Sequence, residues 1–319
     1  NREELLGMAG LQAGTDSEIL LSLYRRHQDF SFLESVDGLF SAALYDKEVQ
    51  RLHLISDRYG LRYLYWRIHD GVLYWSSELK GFIPLKDYTP KINPTAVQQF
   101  IKIGFMLEDE TWFEDVELLS SGSVLSFDIR SGSYDKQRYW WWDRIKPAVG
   151  PVDEAAIIEA LGELSNDSGQ RRSGSGEEVG VTLSGGLDSR AILAAMPVGE
   201  RPIKALTFGK EGCDDLRFAK RAAAIKGVEH HTVDLSVENW LPPRIATVWL
   251  NDGFQDIKHA GSAGKYIAEL FPINLGGIGG DVVLGGAFLS VERSMDEITE
   301  DKKGNMSTID DTVNQDCQR

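Results

Sequence analysis

The chain has 319 residues, and its 42 % hydrophobic and 10 % aromatic content suffices for one large or two ordinary cores. With 34 basic against 49 acidic residues it carries a formal charge of −15, which repels polyanions and argues against non-specific nucleic-acid or anionic-membrane binding. No apolar run approaches the roughly 18 residues of a membrane span and no signal peptide opens the sequence. Two scattered cysteines, Cys213 and Cys317, make neither a disulfide framework nor a zinc site, so the expected setting is a reducing cytoplasm.

In chain order, a helical run spans about Ser17 to His27, with Ile19, Leu20, Leu23 and Tyr24 on one face and Asp16 placed to cap it. From Asp37 to Ser76 the period shortens to that of strands: DGLFSAALYD, RLHLISD, YLYWRI and VLYWSSE. The turn His69-Asp70-Gly71 is a hairpin signal between the last two. A further strand pair, Gly122 to Asp128 and Tyr134 to Trp141, is joined through Arg130-Ser131-Gly132 and ends in RYWWW, an aromatic run read as packing. Asp153 to Leu164 reads as a capped helix, and Ser165 to Glu178 as a flexible polar connection. From Val179 strands and helices alternate: strand Ile203 to Phe208, helix Asp214 to Lys226, strand His231 to Leu235, helices Val237 to Leu250 and Ser262 to Leu270, and a short strand at Pro272 to Leu275. Such alternation predicts a parallel sheet, whose ligands bind at the carboxyl ends of the strands.

The stretch that organises the rest is VGVTLSGGLDSRAILAAM, Val179 to Met196: a β-branched run, a glycine turn and a helix start. Glycines there let the backbone approach a ligand closely, and the helix N-terminus offers unpaired N–H groups, so the loop suits phosphate. No GK[ST] follows, so it is not a Walker loop. Asp188 inside it would repel phosphate unless a cation lay between them, which argues for Mg²⁺. The plain alternative is a strand-to-helix turn with Ser or Asp as cap. A second glycine-rich stretch, LGGIGGDVVLGG (Leu275 to Gly286), reads as a loop closing over a ligand.

SGGLDS (Ser184 to Ser189) resembles the signature of the PP-loop ATP pyrophosphatases, and with its surroundings the chain resembles asparagine synthetase and its relatives. GLFSAALYD, SDRYGLRYLYW and SSELKGF are similar, in the same order, to segments of the class II glutamine amidotransferase domain. The resemblance implies two domains. The first, 1–146, would be an α+β, antiparallel-sheet amidotransferase-like domain of Ntn type, incomplete at its N-terminus. A helix and flexible linker would follow at 147–178. The second, 179–319, would be an ATP-binding α/β domain with a parallel sheet of the PP-loop (adenine nucleotide α hydrolase-like) type, incomplete at its C-terminus.

The implied activity is amide formation driven by ATP cleavage between the α and β phosphates. A carboxylate, aspartate first, would be adenylated with release of pyrophosphate, then joined to ammonia drawn from glutamine. The implied ATP and pyrophosphate site is Leu183, Ser184, Gly185, Gly186 and Ser189, with Gly276 and Gly277 near ribose and phosphate. Asp188 and Asp281 would be the catalytic pair holding Mg²⁺. Phe208, closing the strand before Gly209, would cover adenine or simply end a buried strand. Asp16, in GTDSE, would bind the amino group of glutamine as well as cap its helix. Arg190 is either a phosphate-steering group or an ordinary surface arginine. His230 and His231, in a segment similar to the family's EHHxV, are read as structural, since neighbours on a strand point to opposite faces. Cys213 carries no mark of a nucleophile. The expected partners are these small molecules, with a homodimer the one assembly allowed for.

Two departures bear on mechanism. The family's glutaminase uses an N-terminal cysteine, whereas this sequence starts with Asn1, which aligns with the end of the family's NGEIYN stretch; the nucleophile is therefore expected upstream, in a longer protein. The glutamate of the family's SGEG, thought to take a proton from ammonia, aligns with Ile278, which cannot do so. Ile278 keeps open an amide-bond cyclase or ligase of secondary metabolism, of the β-lactam synthetase or lasso-peptide cyclase kind, and a nucleotide-binding pseudoenzyme is the second alternative.

Overall fold

The computed structural model describes residues 1–86, 88–146, 150–151, 153–173, 178–197, 202–254, 259–277 and 280. The chain divides into two compact units. One comprises 1–152 together with 237–262, and the other 153–236 together with 263–319.

The first unit opens with two helices, α1 (Arg2–Ala9) and α2 (Asp16–His27). Thr15, not Asp16, caps α2: its hydroxyl accepts the Glu18 N–H at 3.3 Å while the Glu18 carboxylate accepts the Thr15 N–H at 2.6 Å. This reciprocal box satisfies two N–H groups at once, more than a lone aspartate offers. Asp16 is thereby the first helical residue.

Alternating apolar residues then build strands. β1 (Ser41–Asp46) and β2 (Arg51–Ser56) form a hairpin, as do β3 (Tyr65–His69) and β4 (Val72–Ser76). Asp70 and Gly71 turn the second hairpin with φ of 48° and 73°, which suits the strand twist. Helix α3 (Pro94–Ile103) follows, capped by the Asn93 side chain with Pro94 at its first position. Asn93-Pro94 is its signal in the sequence. β5 (Glu117–Leu118), β6 (Ser123–Asp128) and β7 (Tyr134–Arg138) complete two antiparallel sheets, in the orders β1-β2-β6-β7 and β4-β3-β5.

The strand period of two sorts the core into layers. Ile55 and Val124 face α1 and α2, where Leu5, Ile19 and Leu23 meet them. Leu54 and Leu125 face the other way, onto Trp66 and Leu73 of the second sheet. Tyr65, on the far side of that sheet, packs with Leu79, Phe82 and Phe254. Each fully buried leucine or isoleucine here contributes about 1.5–3 kcal/mol. RYWWW packs only in part: Tyr139 is buried and its hydroxyl donates to Ser56 O at 2.8 Å, and Trp140 meets Tyr59 and Trp142 edge-on, whereas Trp141 and Trp142 are exposed.

The second unit begins with α4 (Glu154–Ser173), nine residues longer than its apolar pattern foretold. The polar stretch from Ser165 to Ser173 is helical, not a flexible connection. Arg171 pairs with Asp167 one turn back at 2.8 Å, and Gly169 lies against α5 so closely that a Cβ there would strike the Ala195 carbonyl.

β8 (Val179–Thr182), α5 (Leu187–Ala195), β9 (Lys204–Gly209), α6 (Asp214–Lys226) and β10 (Glu229–Asp234) follow in alternation. α7 (Val237–Leu250) lies in the segment grouped with the first unit, and α8 (His259–Leu270) leads back to β11 (Ile273–Leu275). All four strands are parallel, in the order β10-β9-β8-β11. The buried Val181, Ala205 and Leu206 are the two-sided core such a sheet requires.

Candidate functional site

The strand order decides where a ligand can enter. From β8 the chain builds outward through β9 to β10, then returns so that β11 lies on the other side of β8. Crossovers diverge at such a point and leave a crevice beyond the carboxyl ends of the strands. The two glycine-rich loops are those that follow β8 and β11, so the topology brings them together.

Hydrogen bonds define the first loop. Ser189 is 4 % exposed and donates its hydroxyl to Ser184 O at 2.9 Å, while the Ser184 and Ser189 hydroxyl oxygens lie 3.0 Å apart. The Gly186 N–H reaches Ser184 Oγ at 3.3 Å, and Arg190 Nε donates to Gly186 O at 3.1 Å. Arg190 thus braces the loop backbone. The Gly185 N–H is taken by Asp215 Oδ1 at 3.2 Å, and a Cβ on Gly185 would lie 3.0 Å from Asp215 Cα. Asp215 was missed from sequence because CDDLR reads as an ordinary acidic first turn of a helix.

Under the loop, the buried Thr207 hydroxyl lies 2.6 Å from Leu183 O and 2.8 Å from His230 Nε2. Its single proton goes to the carbonyl, so His230 donates to it. Burial, helped by His231 and Lys220, holds the His230 imidazole below its ordinary pKa. His230 is thereby a structural support, as expected of it. His231 Nε2 lies instead 2.9 Å from Glu229 Oε1.

The second loop reaches Asp188 with its backbone. A Cβ on Gly277 would lie 2.9 Å from Asp188 Cβ and 3.0 Å from the Ser189 N, and one on Gly280 would lie 2.7 Å from Asp188 Oδ2. Neither position admits a side chain without a shift. Gly276 is roomier, its nearest neighbour among the described residues being Thr182 Oγ1 at 3.5 Å. Asn274 fastens the two strand ends by accepting the Thr182 N–H at 3.1 Å. Leu183, Ser184, Gly185, Gly186, Asp188, Ser189, Gly276 and Gly277 therefore stand at one end of one sheet, with the half-buried Phe208 closing the neighbouring β9. Asp281 and Ile278 lie outside the described residues.

Asp188 is half-buried and, among the described residues, has no ion-pair partner. No group of three His, Cys, Asp or Glu able to hold a metal unaided occurs among those residues. One carboxylate beside a phosphate-shaped loop fits Mg²⁺, which commonly takes one or two carboxylates and completes its shell with phosphate oxygens and water.

Asp16 belongs to the first unit. Its carboxylate is 90 % exposed and pairs with Arg2, whose other nitrogen donates to Gly14 O. Both line a cavity of about 380 Å³ with Leu23, Gly38 and Phe40.

Two family models match the chain. A glutamine amidotransferase domain matches residues 2–140, and an asparagine synthase domain matches residues 160–306. The chain belongs to the asparagine synthetase family. It is 28 % identical over 289 residues to a putative glutamine-hydrolysing asparagine synthetase of Methanocaldococcus jannaschii, covering 86 % of this chain and 54 % of that one. To the glutamine-hydrolysing asparagine synthetase of Gallus gallus it is 26 % identical over 272 residues, covering 82 % of this chain and 46 % of the other. The chain thus spans about half the length of these curated relatives. Among solved structures, a glutamine-dependent NAD⁺ synthetase from Acinetobacter baumannii aligns over 85 % of this chain and 67 % of its own at 16 % identity, with a TM-score of 0.29, too slight a likeness to define the fold.

Proposed function

We propose that the chain carries the ATP-cleaving site of an amide-forming ligase, with aspartate as the carboxylate and glutamine as the source of ammonia. The observation that carries this reading is the convergence of both glycine loops on Asp188 at the switch point of the sheet. A substrate carboxylate oxygen attacks the α-phosphorus of ATP; the bond from that phosphorus to the bridging oxygen breaks, and pyrophosphate leaves with the electron pair. The Ser184–Ser189 loop receives the departing pyrophosphate through the N–H groups that open α5, on a backbone held in advance by Thr207, Arg190 and Asp215. Ammonia then attacks the acyl carbon and AMP leaves. Asp188, joined by Asp281 on the strength of the family resemblance, would hold Mg²⁺, which offsets the charge on the phosphates when bound.

On the same reading the first unit is an Ntn-type glutaminase domain, and Asp16 receives the α-amino group of glutamine. Because Arg2 already neutralises Asp16, glutamine enters by displacing Arg2 from the carboxylate. Ile278 supports a second reading, an amide-bond cyclase or ligase whose acceptor is an amine and whose proton goes to a base elsewhere than at this loop position, since an isoleucine can take no proton.

The test supplies the full-length protein with Mg-ATP, a panel of carboxylates, and ammonia, glutamine or an amine. Asparagine formed with one pyrophosphate per amide supports the first reading. Pyrophosphate released only with another carboxylate and an amine moves the protein to the second, and ATP binding without turnover on any substrate contradicts both.

A further inference from the structure

Residues 237–262 fall within the stretch that matches the asparagine synthase model, 160–306, yet they fold with the first unit. The chain leaves the second unit after β10 and rejoins it within α8. A strap of synthetase-type sequence is therefore built into the amidotransferase unit.

One side chain fastens it. Asp252 follows α7 with a left-handed φ of 54°, and its carboxylate is only 7 % exposed. Oδ2 accepts the Leu79 N–H at 2.7 Å, and Oδ1 accepts the Lys80 N–H at 3.3 Å and Lys80 Nζ at 3.2 Å. The Asp252 carbonyl accepts Trp112 Nε1–H at 2.8 Å. Around this clasp, Phe254 sets its ring 5.5 Å from those of both Tyr63 and Tyr65, and Lys80 Nζ lies 5.6 Å from the centre of the Trp249 ring.

A buried carboxylate is costly unless its acceptors are filled, and this one is filled from an ammonium and the first two backbone amides of the 3₁₀ helix Leu79–Phe82, which its own N-cap residue Glu78 leaves uncapped. Simple adhesion of the strap to an apolar surface would need no such group. Leu79 and Lys80 belong to SSELKGF, a segment that resembles the family's ASExKAL and to which neither candidate site gives a role.

We infer that Asp252 is a positioning residue that couples the two activities, clasping the strap to residues 79 and 80 so that ammonia released from glutamine is used for amide formation. The inference rests on the ligase reading above. Ammonia supplied from solution bypasses the coupling and leaves amide formation dependent on the second unit's own site.

The experiment measures amide formation by the full-length protein with glutamine and with ammonium, and the ratio of glutamate to amide, for the wild type, Asp252→Ala, Asp252→Asn and Lys80→Met. Deleting the carboxylate strands two buried N–H groups, and the expected result is a loss of about tenfold in glutamine-dependent amide formation. Ammonium-dependent formation stays within about twofold of wild type, a difference too small to mark a lost interaction, and the glutamate to amide ratio rises. Asp252→Asn, which keeps one acceptor oxygen, falls between; Lys80→Met, which leaves both backbone bonds, gives the mildest version and serves if Asp252→Ala does not fold. Equal losses with both nitrogen sources, or an unchanged ratio in every folded variant, would overturn the inference. A wild type that makes no amide from ammonium and any carboxylate would sink the ligase reading itself.

Discussion

Two carboxylates, one in each unit, are held in opposite ways. Asp16 stands 90 % exposed on the first turn of α2 and already has its cation, Arg2. Asp188 sits half-buried on the first turn of α5, pressed by the backbone of Gly277 and Gly280, with no ion-pair partner among the described residues. The first arrangement suits a ligand that brings its own positive charge and exchanges with a side chain. The second suits a metal ion that arrives with phosphate, because a side-chain cation there would occupy the space the metal needs. The helix start is common to both, so local sequence does not distinguish them. What separates them is the second glycine loop.

The largest effect that would break this comparison is at Asp188. Asp188→Ala is expected to lower carboxylate-dependent pyrophosphate release by about a thousandfold, in line with removal of a principal electrostatic group from an active site. Survival of substantial turnover would mean that the carboxylate is only a helix-start residue. Next are the glycines. Gly277→Ala and Gly280→Ala push a methyl group into Asp188 and should each cost on the order of a hundredfold in kcat/KM for ATP. Gly276→Ala meets no atom of the described residues closer than 3.5 Å, so a loss there is expected to report on bound nucleotide more than on the loop's packing.

That division among three neighbouring glycines was not legible in the sequence, where LGGIGG reads as uniformly permissive. The strand–turn–helix from Val179 to Met196 was legible, because β-branched residues, paired glycines and a helical run each speak for themselves over short distances. The order of strands was not: nothing local in Ile273–Leu275 says that it pairs with β8 in place of β10, yet that pairing makes the crevice. The helical stretch Ser165–Ser173 escaped because it carries no apolar stripe: Gly169 lies against Ala195 of α5, a contact between residues 26 apart in the chain, and Arg171 pairs with Asp167 on its surface. Thr15 displaced Asp16 as cap because the box needs Glu18 as well.

A smaller effect tests the Asp16 side of the comparison. Arg2→Ala removes the competitor for the amino group, and since exposed pairs contribute about 0.2–1 kcal/mol, the glutamine KM should fall by at most about fivefold, with ammonium-dependent synthesis unchanged. A raised KM would show instead that Arg2 contacts glutamine itself.

The smallest expected effect concerns stability. His53 is 4 % exposed, and desolvation holds its pKa below the ordinary 6.5. The unfolded chain therefore binds a proton that the folded one refuses. Stability contributed by the neutral ring is fully present above about pH 6.5 and is lost as pH falls toward the folded pKa. Denaturant unfolding between pH 7.5 and 5.5 should show a slope that His53→Gln flattens; an identical slope would assign the acid sensitivity to other groups.

The account stands most directly on exchange of labelled pyrophosphate into ATP by the full-length protein, measured with and without aspartate and the other carboxylates. It predicts exchange that requires both Mg²⁺ and a carboxylate, disappears in Asp188→Ala, and falls in Gly277→Ala more than in Gly276→Ala. Exchange that persists in Asp188→Ala, or ATP cleavage yielding orthophosphate in place of pyrophosphate, would contradict it.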